Sequence, residues 1–120
     1  MDIHFTARKF KAHLATRNHA FSVVKKLDKY YDGIVRTDVI LSFERPQQSI
    51  KMAEINIHVY GTVLSAAEKS DDFRKSLDLA VDKLERQLAK YKTKLRLKDR
   101  KKLRRVKEEV GAPVAGDDEE

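Results

Sequence analysis

Apolar residues recur from Ser70 to Arg96 with the period of a helix. Phe73, Leu77, Val81, Leu84, Leu88, Tyr91 and Leu95 follow one another at steps of four, four, three, four, three and four. Such spacing stacks side chains on one buried face. No Gly or Pro interrupts the stretch, which is rich in Ala, Leu, Lys, Glu, Arg and Gln, all strong helix formers. Ser70, Asp71 and Asp72 stand ahead of it and supply a cap and negative charge at the positive end of the helix dipole. With Leu84 at the centre of the buried face and about 100° per residue, Lys83, Arg86, Gln87, Lys90 and Lys94 share one flank. Asp78, Asp82 and Glu85 fall on the other. The helix is therefore predicted to have a core face, a basic shoulder and an acidic shoulder.

Upstream, Ile3, Phe5 and Ala7 alternate in a short strand over residues 2–7. Residues 8–12 form a basic connection in which Phe10 is expected to anchor against the following helix. That helix runs from His13 to Tyr31, with Leu14, Ala20, Phe21, Val24, Leu27 and Tyr31 on one side. Asn18, Ser22, Lys25, Lys26 and Lys29 lie opposite, and Arg17 is expected to snorkel beside the apolar stripe. Asp32-Gly33 ends the helix, Gly being common just past a C-terminus. Three strands follow: Val35–Phe43, Met52–Tyr60 and Val63–Glu68. Pro46 sits in a loop between the first two, and Gly61-Thr62 reads as a tight turn between the last two. Ala53, Ile55, Ile57 and Val59 point inward; Glu54, Asn56, His58 and Tyr60 point outward.

The order β-α-β-β-β-α predicts an α+β two-layer sandwich, with two helices on one face of a four-stranded sheet and the other face solvated. After Arg96 the apolar period fades. Residues 97–107 either extend the helix as a basic rod or are disordered alone; Gly111-Ala112-Pro113 stops any helix, and Asp117–Glu120 is an acidic tail. The expected organisation is one domain over 1–96 and a flexible basic-then-acidic tail over 97–120.

Charge sharpens this picture. The 120 residues carry 26 Lys and Arg against 19 Asp and Glu, a net +7. Residues 92–107 hold 10 basic residues and 1 acidic, whereas 108–120 hold 6 acidic and none basic. This balance favours polyanionic partners, nucleic acid ahead of an acidic membrane surface. There is no Cys, which excludes disulfides, thiolate metal sites and a Cys nucleophile. No apolar run is long enough to span a membrane, and Met1-Asp2-Ile3-His4 does not resemble a signal peptide.

Catalytic motifs are missing. The chain has no Gly-x-Ser-x-Gly, no His-Glu-x-x-His and only four scattered glycines, too few for a phosphate cradle. His4 and His58 could be neighbours on adjacent strands, but no further metal ligands accompany them. Asp71-Asp72 is better explained by capping than by acid–base chemistry. No enzymatic activity, cofactor, metal or small-molecule substrate is expected. If both helices cover one sheet face, their basic sets can merge into one outer surface. With few exposed aromatics, such a surface suits phosphates and helical RNA better than base stacking.

The segment Asp82-Lys83-Leu84-Glu85-Arg86-Gln87-Leu88-Ala89-Lys90-Tyr91-Lys92, preceded by Asp71-Asp72-Phe73 and Leu77-Asp78, resembles the hallmark helix of the ribosome hibernation promoting factors, also called ribosome-associated inhibitor or protein Y. The likeness covers residues 2 to about 96 and includes Val39-Ile40-Leu41-Ser42. It implies a fold like that of double-stranded-RNA-binding domains. It also implies docking in the decoding cleft of the small ribosomal subunit, where messenger and transfer RNA would lie. RNA-contacting positions carried over from the resemblance are Lys26 and Lys29 in the first helix and Lys83, Arg86, Gln87, Lys90 and Lys94 in the second. Lys25 joins them on the helical-face argument alone. His13 stands where members often have a Thr or Ser cap.

The resemblance thus implies a cytoplasmic stationary-phase or stress factor that inhibits translation. It would bind small-subunit RNA and the 70S ribosome, be a monomer off the ribosome, and make no membrane contact. The second, dimerising domain of long members is not expected here, and Glu108–Glu120 leans toward short members with an acidic tail. The alternatives are a duplex-RNA binder without ribosomal preference, an enzyme, and a membrane-surface protein using residues 92–107.

Overall fold

The computed structural model describes the backbone of residues 1–44 and 49–108 and the side chains of 1–44 and 49–97. The Pro46 loop position, the Gly111-Ala112-Pro113 helix stop and the Asp117–Glu120 tail lie outside the described residues. The chain divides into two compact units, Met1–Gln87 and Leu88–Glu120.

The first unit carries β1 (Asp2–Ala7), α1 (Leu14–Tyr30), β2 (Arg36–Phe43), β3 (Lys51–Val59), β4 (Thr62–Ser70) and the start of α2 (Phe73–Glu108). The strands form one sheet in the order β1-β2-β3-β4. β1 and β2 are parallel, joined by the α1 crossover; β2–β3 and β3–β4 are antiparallel. The fold is α+β, in the β-α-β-β-β-α order read from the sequence.

Strand parity fixes the two sheet faces. Thr37, Val39, Leu41, Ala53, Ile55, Ile57 and Ala66 are buried on the inner face. The inner face meets both helices: Phe5 of β1 packs near Phe21 of α1, and Phe43 of β2 packs edge-on against Phe73 of α2. Arg36, Asp38, Glu54, Asn56 and His58 occupy the outer face, half-buried or exposed. α1 contributes Ala20, Val23, Val24 and Leu27 to the core, and the first turns of α2 contribute Phe73, Leu77, Ala80, Val81 and Leu84.

Several local expectations change. Leu14 is 71% exposed. At about 100° per residue it lies roughly 130° from the mean direction of Ala20, Val23, Val24 and Leu27, so Val23 takes the place in the stripe expected for Leu14. Phe10 does anchor, but against the other helix: its ring stacks on Phe73 at 5.1 Å and meets Phe43 edge-on at 4.9 Å. Arg17 snorkels as expected, its guanidinium 5.7 Å from the Phe5 ring centre and 5.2 Å from that of Phe21.

Gly33 is not a left-handed cap, since Gly61 is the glycine with positive φ among the described residues. Its role is space: a Cβ there would lie 2.5 Å from the Tyr31 hydroxyl oxygen. The hairpin turn is Tyr60-Gly61, with Gly61 at φ +84, and Thr62 already pairs with Val59. β4 runs on to Ser70 because Glu68 and Ser70 still pair with Ala53 and Lys51.

α2 starts on a hydrogen-bonded cap. Asp72 Oδ1 accepts the backbone N–H of Arg74 at 3.2 Å, and Ser70 Oγ accepts that of Asp72 at 3.2 Å. The buried Ser76 hydroxyl donates to the Lys51 carbonyl at 2.8 Å, which ties the first turn of α2 to the start of β3. By contrast, His13 caps α1 without a side-chain hydrogen bond.

In the second unit the helix continues unbroken to Glu108, so the domain boundary expected at 96 falls inside α2. Leu88 is buried, and Tyr91 and Leu95 are half-buried. Among the described residues no helix is long and apolar enough to cross a membrane.

Candidate nucleic-acid interface

α1 presents Lys25, Lys26 and Lys29 to solvent. Relative to the mean direction of its buried residues they stand at about +150°, −110° and −170°. All three ammonium groups thus leave the side of the helix away from the sheet, where water or a phosphate can reach them.

On α2 within the first unit, Lys83 and Arg86 are exposed and Gln87 is half-buried. Two of these already have partners. Lys83 Nζ is 2.8 Å from Glu68 Oε2, and Gln87 Nε2 donates to the Ser65 carbonyl at 2.8 Å. Both partners belong to β4, so the basic shoulder overlies the β4 edge. The acidic shoulder turns the other way: Asp78 Oδ1 meets His19 Nε2 of α1 at 2.7 Å.

Within the first unit, then, the acidic shoulder touches α1 through Asp78, while Lys83 and Gln87 are held at β4. The cause is the strand order. α1 crosses from β1 to β2 and α2 follows β4, so the flank of α2 remote from α1 is the one beside the sheet edge. In the second unit Lys90 and Lys94 are both exposed.

An RNA phosphate could take Lys83 from Glu68 at little expense. The pair is partly exposed, at 53% and 25% for the two side chains, and such pairs contribute only about 0.2–1 kcal/mol. Gln87 is different. Its donated bond satisfies an edge-strand carbonyl, so it serves first to fix α2 on β4. Parity carried a signal for this packing: Glu68 shares the inward face with Leu64 and Ala66, and an inward carboxylate on an edge strand needs a partner from the covering helix.

The outer sheet face holds a separate polar cluster. Arg36 Nε donates to Asp38 Oδ1 at 2.7 Å, and His58 Nε2 is 3.0 Å from Asp38 Oδ2. Burial alone would raise the Asp38 pKa, but the hydrogen bonds and charges of Arg36 and His58 outweigh it and hold the carboxyl below its ordinary value. His4 and His58 are not on adjacent strands. β2 separates them, with His4 opposite Asp38 in register. Among the described residues no three His, Cys, Asp or Glu side chains gather as a metal site.

Comparison with known proteins places this geometry. Residues 3–96 match the profile of the family described as sigma 54 modulation protein / S30EA ribosomal protein. The ribosome hibernation promoting factor of Klebsiella oxytoca is 30% identical over 96 residues, covering 80% of this chain and 98% of that protein. That of Azotobacter vinelandii is 30% identical over 94 residues, covering 78% of this chain and 85% of its own length. Among solved structures, a ribosomal subunit interface protein from Coxiella burnetii superposes with a TM-score of 0.70 at 28% identity, over 78% of this chain and 99% of that one. The N-terminal domain of Thermus thermophilus protein Y gives a TM-score of 0.66 at 28% identity, over 76% and 99%. The chain belongs to the sigma 54 modulation protein / S30EA ribosomal protein family.

Proposed function

We propose that this protein is a ribosome hibernation factor, a translation inhibitor that binds the small ribosomal subunit in the cytoplasm. The observation that carries the reading is the match of residues 3–96, nearly the whole α+β fold, to a family whose relatives are ribosome hibernation promoting factors. Docking uses Lys25, Lys26 and Lys29 of α1 and Lys83, Arg86, Gln87, Lys90 and Lys94 of α2 against ribosomal RNA phosphates. The site is the decoding cleft. Occupancy there excludes messenger and transfer RNA, so inhibition is steric and uses no bond-making chemistry. The ribosome-binding domain is residues 1–96, and the free protein is a monomer that joins small subunits or 70S ribosomes.

The surface chemistry supports this choice. Exposed Lys and Arg neutralise phosphates and release counterions. Among the described residues the exposed aromatics are Tyr30 and Tyr60, one in α1 and one in the β3–β4 turn, too few for a base-stacking platform.

Sedimentation of purified protein with ribosomal fractions tests the reading. It should comigrate with small subunits and 70S particles and compete with a short messenger bearing initiator transfer RNA. Comigration without competition would remove the decoding cleft. Equal retention on isolated RNA hairpins at physiological salt would make the protein a general duplex binder.

A further inference from the structure

The family match ends at residue 96, yet α2 continues as helix to Glu108. The eleven residues from 98 to 108 contain seven Lys and Arg against two acidic residues. At 1.5 Å per residue this puts a net +5 on roughly 17 Å of helix. Lys98 and Lys102, Arg100 and Arg104, and Lys101 and Arg105 stand four residues apart, the spacing at which like charges weaken a helix. Leu103 and Val106 are the apolar residues of this segment, too few for a buried stripe. The extension is therefore a self-repelling helix whose apolar side is only the Leu103–Val106 strip, and an external polyanion relieves that repulsion.

We propose that residues 98–108 are a second RNA-binding element, a basic helical extension that grips small-subunit RNA phosphates beyond the footprint of the 1–96 fold. The proposal rests on the ribosome-binding reading for its partner but not for its chemistry. Duplex nucleic acid carries one negative charge per roughly 1.7 Å of axis, so a helix with basic residues on every turn finds phosphates along its whole length. Arg100, Arg104 and Arg105 add planar forks that take phosphate oxygens in pairs. An anionic membrane is the poorer partner. Interfacial helices need a broad apolar face beside their charges, and two aliphatic residues do not make one.

The test is a full-length variant with Lys98, Arg100, Lys101, Lys102, Arg104 and Arg105 all changed to Gln, which keeps helix propensity while removing charge. Binding of wild type and variant is measured from 50 to 200 mM salt on isolated small subunits, on a 20-base-pair RNA duplex and on vesicles with one-third phosphatidylserine. If four of the six side chains meet phosphate, the log–log salt slope on subunits should flatten by about 3–4. Over that fourfold salt range the wild type should then lose roughly 50–150-fold more affinity than the variant. Equal slopes on subunits would overturn the extension while leaving the proposed function standing. If neither protein binds subunits, the proposed function fails, and the duplex decides the extension by the same slope comparison. Vesicle binding lost in the variant with RNA slopes unchanged would overturn it in favour of a membrane contact.

Discussion

Reversing Lys83, Arg86 and Lys90 to Glu tests whether the shoulder of α2 contacts RNA or merely adds to net charge. The substitution takes the chain from a net +7 to +1. A matched control reverses Arg8, Lys11 and Lys69, three exposed residues outside the proposed contact set, and reaches the same +1. The structural cost of the shoulder variant is concentrated at Lys83. Arg86 and Lys90 are exposed, whereas at Lys83 the lost pair costs about 0.2–1 kcal/mol and the new carboxylate repels Glu68 by a similar amount, as the change at Lys69 does against Glu44 in the control. The control gives up a comparable exposed pair, Lys69–Glu44 at 2.7 Å. Melting temperatures of the two variants should therefore agree within a few degrees. Their binding should not. Three lost phosphate contacts flatten the log–log salt slope by roughly 2–3, which over a fourfold salt range is about 20–40-fold. The shoulder variant should show that flattening on small subunits, together with a loss of affinity at every salt. The control should keep the wild-type slope, because charges farther than the Debye length of about 8 Å from the RNA are screened. If both variants lose slope and affinity equally, net charge does the binding and the shoulder has no special standing.

Three further outcomes follow from the packing. Leu84 is fully buried, so Leu84→Ala should cost about 2–5 kcal/mol in denaturant unfolding, and a loss well under that range would take α2 out of the core. Asp38→Asn should destabilise by roughly 0.5–1 kcal/mol at pH 7, where the carboxylate is paired with Arg36 and His58. The folded-state pKa of Asp38 is depressed, so its contribution is complete above the unfolded value of about 3.9 and disappears as pH falls through the folded one; wild type and Asn variant should converge only at pH below 4. Gly33→Ala should displace the Tyr31 ring, and whatever stability it costs should vanish in a Tyr31→Ala background in a double-mutant cycle; a loss that persists there would take Tyr31 out of the account.

The elements were legible because their apolar spacing is regular. Period two in Ala53, Ile55, Ile57 and Val59 and period near 3.6 in Phe73, Leu77, Val81 and Leu84 each leave one reading of which side is buried. What failed was local and depended on side-chain contacts that periodicity does not encode. Gly33 looked like a cap because glycine past a helix usually is one; its actual constraint is the Tyr31 ring folded over it. Phe10 had no periodic context, so its stacking on Phe73, sixty-three residues away, could not be read from spacing. The end of α2 was ambiguous for another reason. Beyond Arg96 helix propensity and charge repulsion oppose each other, and no apolar pattern breaks the tie.

The same limit governs the site. Helical-wheel reasoning separates the flanks of α2 by sign, but it cannot say which flank looks toward α1. Strand order decides that, and it sends the basic flank to β4 and the acidic flank toward His19. On the proposed reading, a polyanion lying flat across both helices would have to pass over Asp78, Asp82 and Glu85. Phosphates are repelled there and attracted on either side. The arrangement therefore favours a partner that reaches α1 and the outer edge of α2 from separate strands, as the walls of a cleft do, over a single duplex laid along one face. This gives the acidic shoulder a part in discrimination: it adds nothing to affinity, yet changing Asp78, Asp82 and Glu85 to Lys should raise retention on simple RNA duplexes more than on small subunits. An equal rise on both would mean that the shoulder is ordinary solvated surface.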